Sequence, residues 1–148
     1  AARFEPLWRS MRDAVPAASF TDADAALATT LLTDQFPRNM FRDSPDSFAT
    51  DRLALSISEG MIEAGFDNAL PPEQRVFAYM PYMHSERMVD QDRSVELFDM
   101  LGAKEQVEFA ILHRDVIRRF GRFPHRNAVY GRESTPEELD FLQLGRGF

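Results

Sequence analysis

Apolar positions recur along this chain at three- and four-residue intervals, and no stretch alternates as a half-buried strand does, so the pattern predicts an all-α fold. Thr21-Asp22-Ala23-Asp24 reads as a helix start with acid in the first turn, followed by an Ala- and Leu-rich run through Leu27, Leu31 and Leu32. Pro37 biases Phe36 away from the α region, which predicts the end of that helix. Ser44-Pro45 offers a second start, and from about Thr50 the positions Leu53, Ala54, Ile57, Met61 and Ile62 keep helical spacing up to Gly65, a natural C′ residue. Pro71-Pro72 opens the next segment, with Val76, Phe77 and Met80 on one side and Pro81 interrupting or kinking it. Ser85 is placed to cap a longer helix carrying Met88, Val95, Phe98 and Leu101, closed by Gly102. A further helix from Lys104 carries Phe109, Leu112, Val116, Ile117 and Phe120 and stops at Gly121. Thr135-Pro136-Glu137-Glu138 is a capping box with proline in its first turn, the start of a short terminal helix.

Six or so helices with short connections make antiparallel neighbours, hence a helical bundle or a solenoid of stacked pairs. No low-complexity linker divides residues 1–148, so a single helical domain is expected. No regular period of a repeat array is present.

One phrase occurs twice: Gln35-Phe36-Pro37-Arg38-Asn39, and Arg122-Phe123-Pro124-His125-Arg126-Asn127. Each closes an apolar periodic stretch and leads to an Arg-acid-Ser run, Arg42-Asp43-Ser44 and Arg132-Glu133-Ser134. Two loops that present Arg and Asn after an extended Phe-Pro predict a polar site. Helical counting also puts His113 in the middle of the apolar stripe of its helix, and Gln91 beside Met88, Val95 and Phe98 on the preceding one. Unpaired buried polar groups cost about 1–3 kcal/mol, so these two predict a satisfied network, either purely structural or forming the floor of a pocket rimmed by the two loops.

Charge changes this picture locally. The net charge of −7 argues against general nucleic-acid binding, yet between His113 and Arg132 six arginines face Asp115 alone, leaving that stretch at +5 and the remainder at −12. A local anion-binding surface follows, although Arg38, Arg122 and Arg126 serve equally as loop fasteners. Arginine outnumbers lysine 16 to 1, a bias that a GC-rich genome also produces.

The absence of cysteine excludes disulfides, Cys-ligated zinc, iron–sulfur clusters and thiol nucleophiles. No His-Glu-x-x-His or comparable pair links His84, Glu86, His113 or His125, and no Gly-rich phosphate loop is present, so neither a metal nor a cofactor is expected. No secretory signal is visible and no apolar run approaches the roughly 18 residues that span a bilayer. A cytoplasmic protein without membrane or nucleic-acid partners is expected, with the oligomeric state left open.

The stretches Leu31-Leu32-Thr33-Asp34-Gln35-Phe36-Pro37-Arg38-Asn39, Pro81-Tyr82-Met83-His84-Ser85-Glu86, Asp90-Gln91-Asp92-Arg93-Ser94-Val95 and Arg119-Phe120-Gly121-Arg122-Phe123-Pro124-His125-Arg126-Asn127, with Gly131-Arg132-Glu133-Ser134-Thr135, resemble the bacterial family of domain of unknown function 924. The resemblance, in order over roughly residues 27 to 143, implies an all-helical, tetratricopeptide-like superhelical fold and carries no activity with it. It also implies a Trp- and Phe-rich segment that is not found ahead of Arg3-Phe4-Glu5-Pro6-Leu7-Trp8, as in a trimmed chain or one whose first helix is replaced.

Three readings of function stand together. The first is a noncatalytic binding module whose groove or pocket, lined by Arg38, Asn39, His84, Glu86, Gln91, His113, Arg122, His125, Arg126 and Asn127, takes an anionic small molecule or the acidic group of a peptide. The second is a hydrolase-like enzyme in which His113 or His125 acts as general base, with Glu86 a further catalytic candidate and Arg126 stabilising negative charge. The third makes the polar motifs purely structural.

Overall fold

The computed structural model describes residues 3–145. Among them the regular structure is helical throughout: α1 (Glu5–Asp13), α2 (Ala23–Thr30), α3 (Phe36–Met40), α4 (Asp51–Glu63), α5 (Pro72–Met83), α6 (Met88–Leu101), α7 (Lys104–Phe120) and α8 (Pro136–Gln143), with short 3₁₀ turns between several of them. The helix α1 is not among the elements expected from the sequence, although Phe4, Leu7, Trp8 and Met11 recur at helical spacing along it; Trp8 is its one buried residue.

Asp22 caps α2 by accepting the Ala25 N–H at 2.8 Å, in line with the start signal at Thr21–Asp24. The predicted stop at Pro37 does not occur. Leu31–Gln35 instead widens into a π turn, and α3 continues with Pro37 in its first turn. A proline inside a helix has no N–H to give and its ring crowds the carbonyl four residues earlier, here that of Thr33. The wider turn relieves both problems. The Phe36 N–H reaches back five residues to Leu31, and the Thr33 carbonyl accepts the Thr50 hydroxyl at 2.6 Å. Thr50 also accepts the indole N–H of Trp8 at 3.0 Å, so one buried hydroxyl ties α1 and the π turn to the start of α4.

Ser44-Pro45 opens only the 3₁₀ turn Pro45–Ser47, and α4 begins at Asp51. Pro81 sits buried inside α5 without interrupting it. Ser85 does not cap α6: its hydroxyl bonds the Asp90 carboxylate at 2.6 Å, and Arg87 holds the cap position. Gly102 closes α6 in the left-handed region at φ 72°, with its own N–H on Asp99 and the Ala103 N–H on Phe98, a Schellman arrangement that turns the chain into α7. The capping box at Thr135 and Glu138 forms in full.

Helices adjacent in the chain pack on one another from α4 through α7, and α2 packs across α4 and α5. The main core gathers Leu55, Ile57, Met61, Ala78, Tyr79, Leu97, Phe98 and Ala110, while a smaller one joins Val116, Ile117, Phe123 and Phe141. Leu55 of the first and Phe123 of the second both reach the cleft described next. Phe109, counted on the apolar stripe of α7, is 46% exposed.

Replacing Thr50 by Val keeps the volume but strands the Trp8 N–H and the Thr33 carbonyl. The expected loss is about 1–3 kcal/mol of unfolding free energy by urea denaturation, and an unchanged midpoint would refute the role assigned to this hydroxyl.

Candidate functional site

The second Phe-Pro phrase follows the Gly121 stop as a 3₁₀ turn, Pro124–Arg126, whereas the first is helical in α3. Their arginines nevertheless meet on one carboxylate. Asp51, in the first turn of α4, accepts Arg38 Nη2 at 2.9 Å and Arg126 Nη1 at 3.1 Å on Oδ2, and Arg38 Nη1 lies 2.9 Å from Oδ1. Arg126 Nη2 also donates to the His84 carbonyl at 2.9 Å, and the guanidiniums of Arg126 and Arg38 flank the Phe48 ring at 4.3 and 5.6 Å from its centroid. Burial pushes Asp51 up despite these two cations, and burial lowers Arg126.

A cleft opens on both sides of this joint. One lobe, of about 540 Å³, is lined by Phe48, Asp51, Arg52, Leu55, Pro81, Glu86, Arg87 and Tyr130; the other, of about 430 Å³, by Arg38, Arg42, Phe123, His113 and His125. Phe48, His84 and Arg126 border both.

All three histidines of the chain therefore line one cleft. His84, at the C-terminal end of α5, places Nδ1 2.8 Å from Oδ1 of Asp34, whose side chain is fully buried in the π turn. Burial pushes the Asp34 carboxyl up, but His84 and Arg38, whose Nη1 lies 3.2 Å away, more than offset it and bring it to about 2. An ionised carboxylate can only accept, so Nδ1 carries the proton and Nε2 keeps its lone pair, on a residue that lines both lobes. His113 donates Nδ1–H to the Phe109 carbonyl at 2.7 Å, and its ring centroid is 6.3 Å from that of His84. Burial lowers His113 to about 3; burial, reinforced by Arg126, lowers His125 to about 4. Both are neutral at neutral pH. Among the described residues, no group of three or more His, Asp or Glu is placed to hold a metal ion.

Of the residues singled out in the sequence, Arg38, His84, Glu86, His113, His125 and Arg126 line the cleft. The other four lie elsewhere. Asn39 bonds the Gln35 carbonyl at 3.1 Å beside a separate depression formed with Phe4 and Phe36. Gln91, fully buried, donates to the Met83 and Ser85 carbonyls, both at 2.7 Å, and so holds the α5–α6 connection. Arg122 forks onto Glu138 at 2.7 and 2.8 Å, and Asn127 donates to the same carboxylate at 3.2 Å and to Ser134 at 3.0 Å. The hydrogen bonds from Arg122 are what chiefly bring Glu138 down to about 2. Glu86 is likewise committed, accepting both Arg132 Nη groups at 2.8 and 2.9 Å and the Phe123 N–H at 2.7 Å.

The cationic stretch from His113 to Arg132 is matched arginine by arginine: Arg114 with Asp92, Arg118 with Asp115, Arg119 with Glu137, Arg122 with Glu138, Arg126 with Asp51 and Arg132 with Glu86. Its excess charge is largely consumed inside the protein. Among the cleft residues that escaped the sequence reading as a site are Arg42, Phe48, Asp51, Arg52 and Tyr130, and so did Asp34, which is buried behind His84. Asp34 had a usable signal, an acid one helical turn before Arg38. Asp51 did not, since an acid in a first turn reads as an ordinary helix-dipole complement.

The class this geometry defines is an all-helical protein with a polar, histidine-lined cleft. The chain belongs to the bacterial proteins of unknown function DUF924, whose family profile matches residues 1–146. It is similar to the solved structure of the protein of unknown function ATU0120 from Agrobacterium tumefaciens, with 40% identity and a TM-score of 0.92 over 97% of this chain and 81% of that one. No curated protein matches it. Among the described residues no helix is long and apolar enough to cross a membrane.

The neutral histidines set a pH dependence. The folded pKa of His113, about 3, lies below the ordinary value of 6.5, so the unfolded chain binds the extra proton and stability falls as pH drops from 6.5 toward 3. His113→Gln is expected to remove a slope of up to about 1.4 kcal/mol per pH unit between pH 6.5 and 5, read from urea midpoints. An identical slope in the variant would contradict the assignment.

Proposed function

We propose that the cleft binds an anionic group, the carboxylate or phosphate of a small molecule or the acidic group of a peptide. The observation that carries this reading is an asymmetry among the arginines. The inner ones are paired: Arg38 and Arg126 on Asp51, Arg132 on Glu86. Arg42 and Arg52 line the two lobes, are exposed, and have no ion-pair partner among the described residues. A guanidinium at the mouth of a cleft, free of carboxylate, is a fork for a bidentate anion. The inner pairs hold Arg38 and Arg126 on Asp51 in place without requiring a ligand. Phe48, Leu55, Pro81 and Tyr130 supply apolar wall, which suits an anion carried on an apolar or aromatic body.

The test uses terephthalate and inorganic phosphate as probes, with isothermal titration at low salt. At least one is expected to bind, and Arg42→Ala or Arg52→Ala to weaken it about tenfold, the worth of a charge-assisted hydrogen bond. Both positions are exposed, so folding is preserved. Unchanged affinity in the double variant, or no binding of either probe, sinks this reading.

A further inference from the structure

Resting on the anion-binding reading above, we propose that the cleft hydrolyses a carboxylic ester of an anionic, apolar-bodied acyl compound, with His84 as general base and Asp34 as its positioning residue. What points there is the placement of one imidazole. Asp34 is fully buried, fixed by Gln35 Nε2 at 2.6 Å as well as by Arg38, and it faces His84 Nδ1 at 2.8 Å. A carboxylate on Nδ1 selects the tautomer whose Nε2 lone pair is available, and stabilises the imidazolium once that nitrogen takes a proton.

His84 Nε2 makes no hydrogen bond among the described residues, and His84 borders both lobes at their junction. The other candidate bases are worse placed. Burial holds His113 and His125 as weak bases, at about 3 and about 4, and Glu86 is occupied by Arg132 and the Phe123 N–H. Next to His84, Arg126 is locked on the His84 carbonyl and on Asp51, so its charge is preorganised rather than gathered during the reaction.

The nucleophile is water. The chain has no cysteine, and the hydroxyls of Ser85 and Ser47, which line the lobes, are committed to Asp90 and to the Phe41 carbonyl. In the forward step His84 Nε2 takes a proton from water while the water oxygen bonds the acyl carbon and the carbonyl π pair moves onto its oxygen. The carbonyl then re-forms, the bond to the ester oxygen breaks, and that oxygen leaves with the proton from Nε2. Ester and water become acid and alcohol, with no redox change.

The experiment compares the mono-4-nitrophenyl ester of terephthalate with 4-nitrophenyl benzoate, following 4-nitrophenolate release, and measures terephthalate binding in parallel. The wild type is expected to prefer the anionic ester in kcat/KM. His84→Gln is expected to lower kcat about 100-fold or more with KM and terephthalate affinity unchanged. Asp34→Asn should lower kcat likewise; because Asp34 is buried and the variant can unfold, His84→Gly with activity restored by added imidazole provides the independent readout. If the wild type binds terephthalate but releases no nitrophenolate above buffer, or if His84→Gln turns over at the wild-type rate, hydrolysis is overturned and the binding reading stands. Binding of neither terephthalate nor phosphate by the wild type overturns both.

Discussion

Asp51 is the joint on which the rest of the cleft depends. It takes two guanidiniums from positions that the chain separates widely, Arg38 of α3 and Arg126 of the turn after α7; Arg126 is buried, and Arg38 and Asp51 are partly so. Burying charge is costly unless every member finds a partner, and removing one member leaves an uncompensated ion, typically worth about 3–5 kcal/mol. The joint is therefore one of all or nothing: α3, the first turn of α4 and the Pro124–Arg126 turn hold their positions together. Both guanidiniums also lie over the Phe48 ring, Arg126 at 4.3 Å and Arg38 at 5.6 Å from its centroid.

A second constraint feeds the first. For Arg38 to reach Asp51, the helix from Ala23 must continue past Pro37, and the π turn at Leu31–Gln35 makes that continuation feasible. The same turn buries Asp34 opposite His84. A local backbone irregularity that accommodates a proline thus also positions a carboxylate, and π turns often occur at functional sites for this kind of reason. Glu138 does comparable double duty at the other end, closing the capping box of α8 while anchoring Arg122 and Asn127.

Much of the fold was legible in the sequence. The 3.6-residue spacing of α4, α6 and α7, the glycines at 65, 102 and 121, and the Thr135 capping box act through neighbouring residues alone, so local chemistry announces them. The terminus at Pro37 was misread because the rule for the residue before proline is also local, whereas the Thr50 hydroxyl that satisfies the freed Thr33 carbonyl comes from another helix. The helix α1 was overlooked although Phe4, Leu7, Trp8 and Met11 keep helical spacing; of these only Trp8 is buried within the helix. The repeated phrase did mark two arginines that share a partner, but its asparagines and Arg122 serve as fasteners: Asn39 on its own helix, Asn127 and Arg122 on Glu138.

What the sequence determined by itself was the helical class, most helix ends, and the residue types that a polar site would draw on. Those follow from torsional preference, periodicity and capping, which operate within a few residues. Only the tertiary structure decided which charges neutralise one another, and hence which remain for a ligand. The run of arginines from His113 to Arg132 looked like an open anion surface, yet each found a carboxylate, most of them from a distant element, while the unremarkable Arg42 and Arg52 were left at the cleft mouth. Electrostatic pairing is set by distance and burial in space, and neither is encoded in the spacing of residues along the chain.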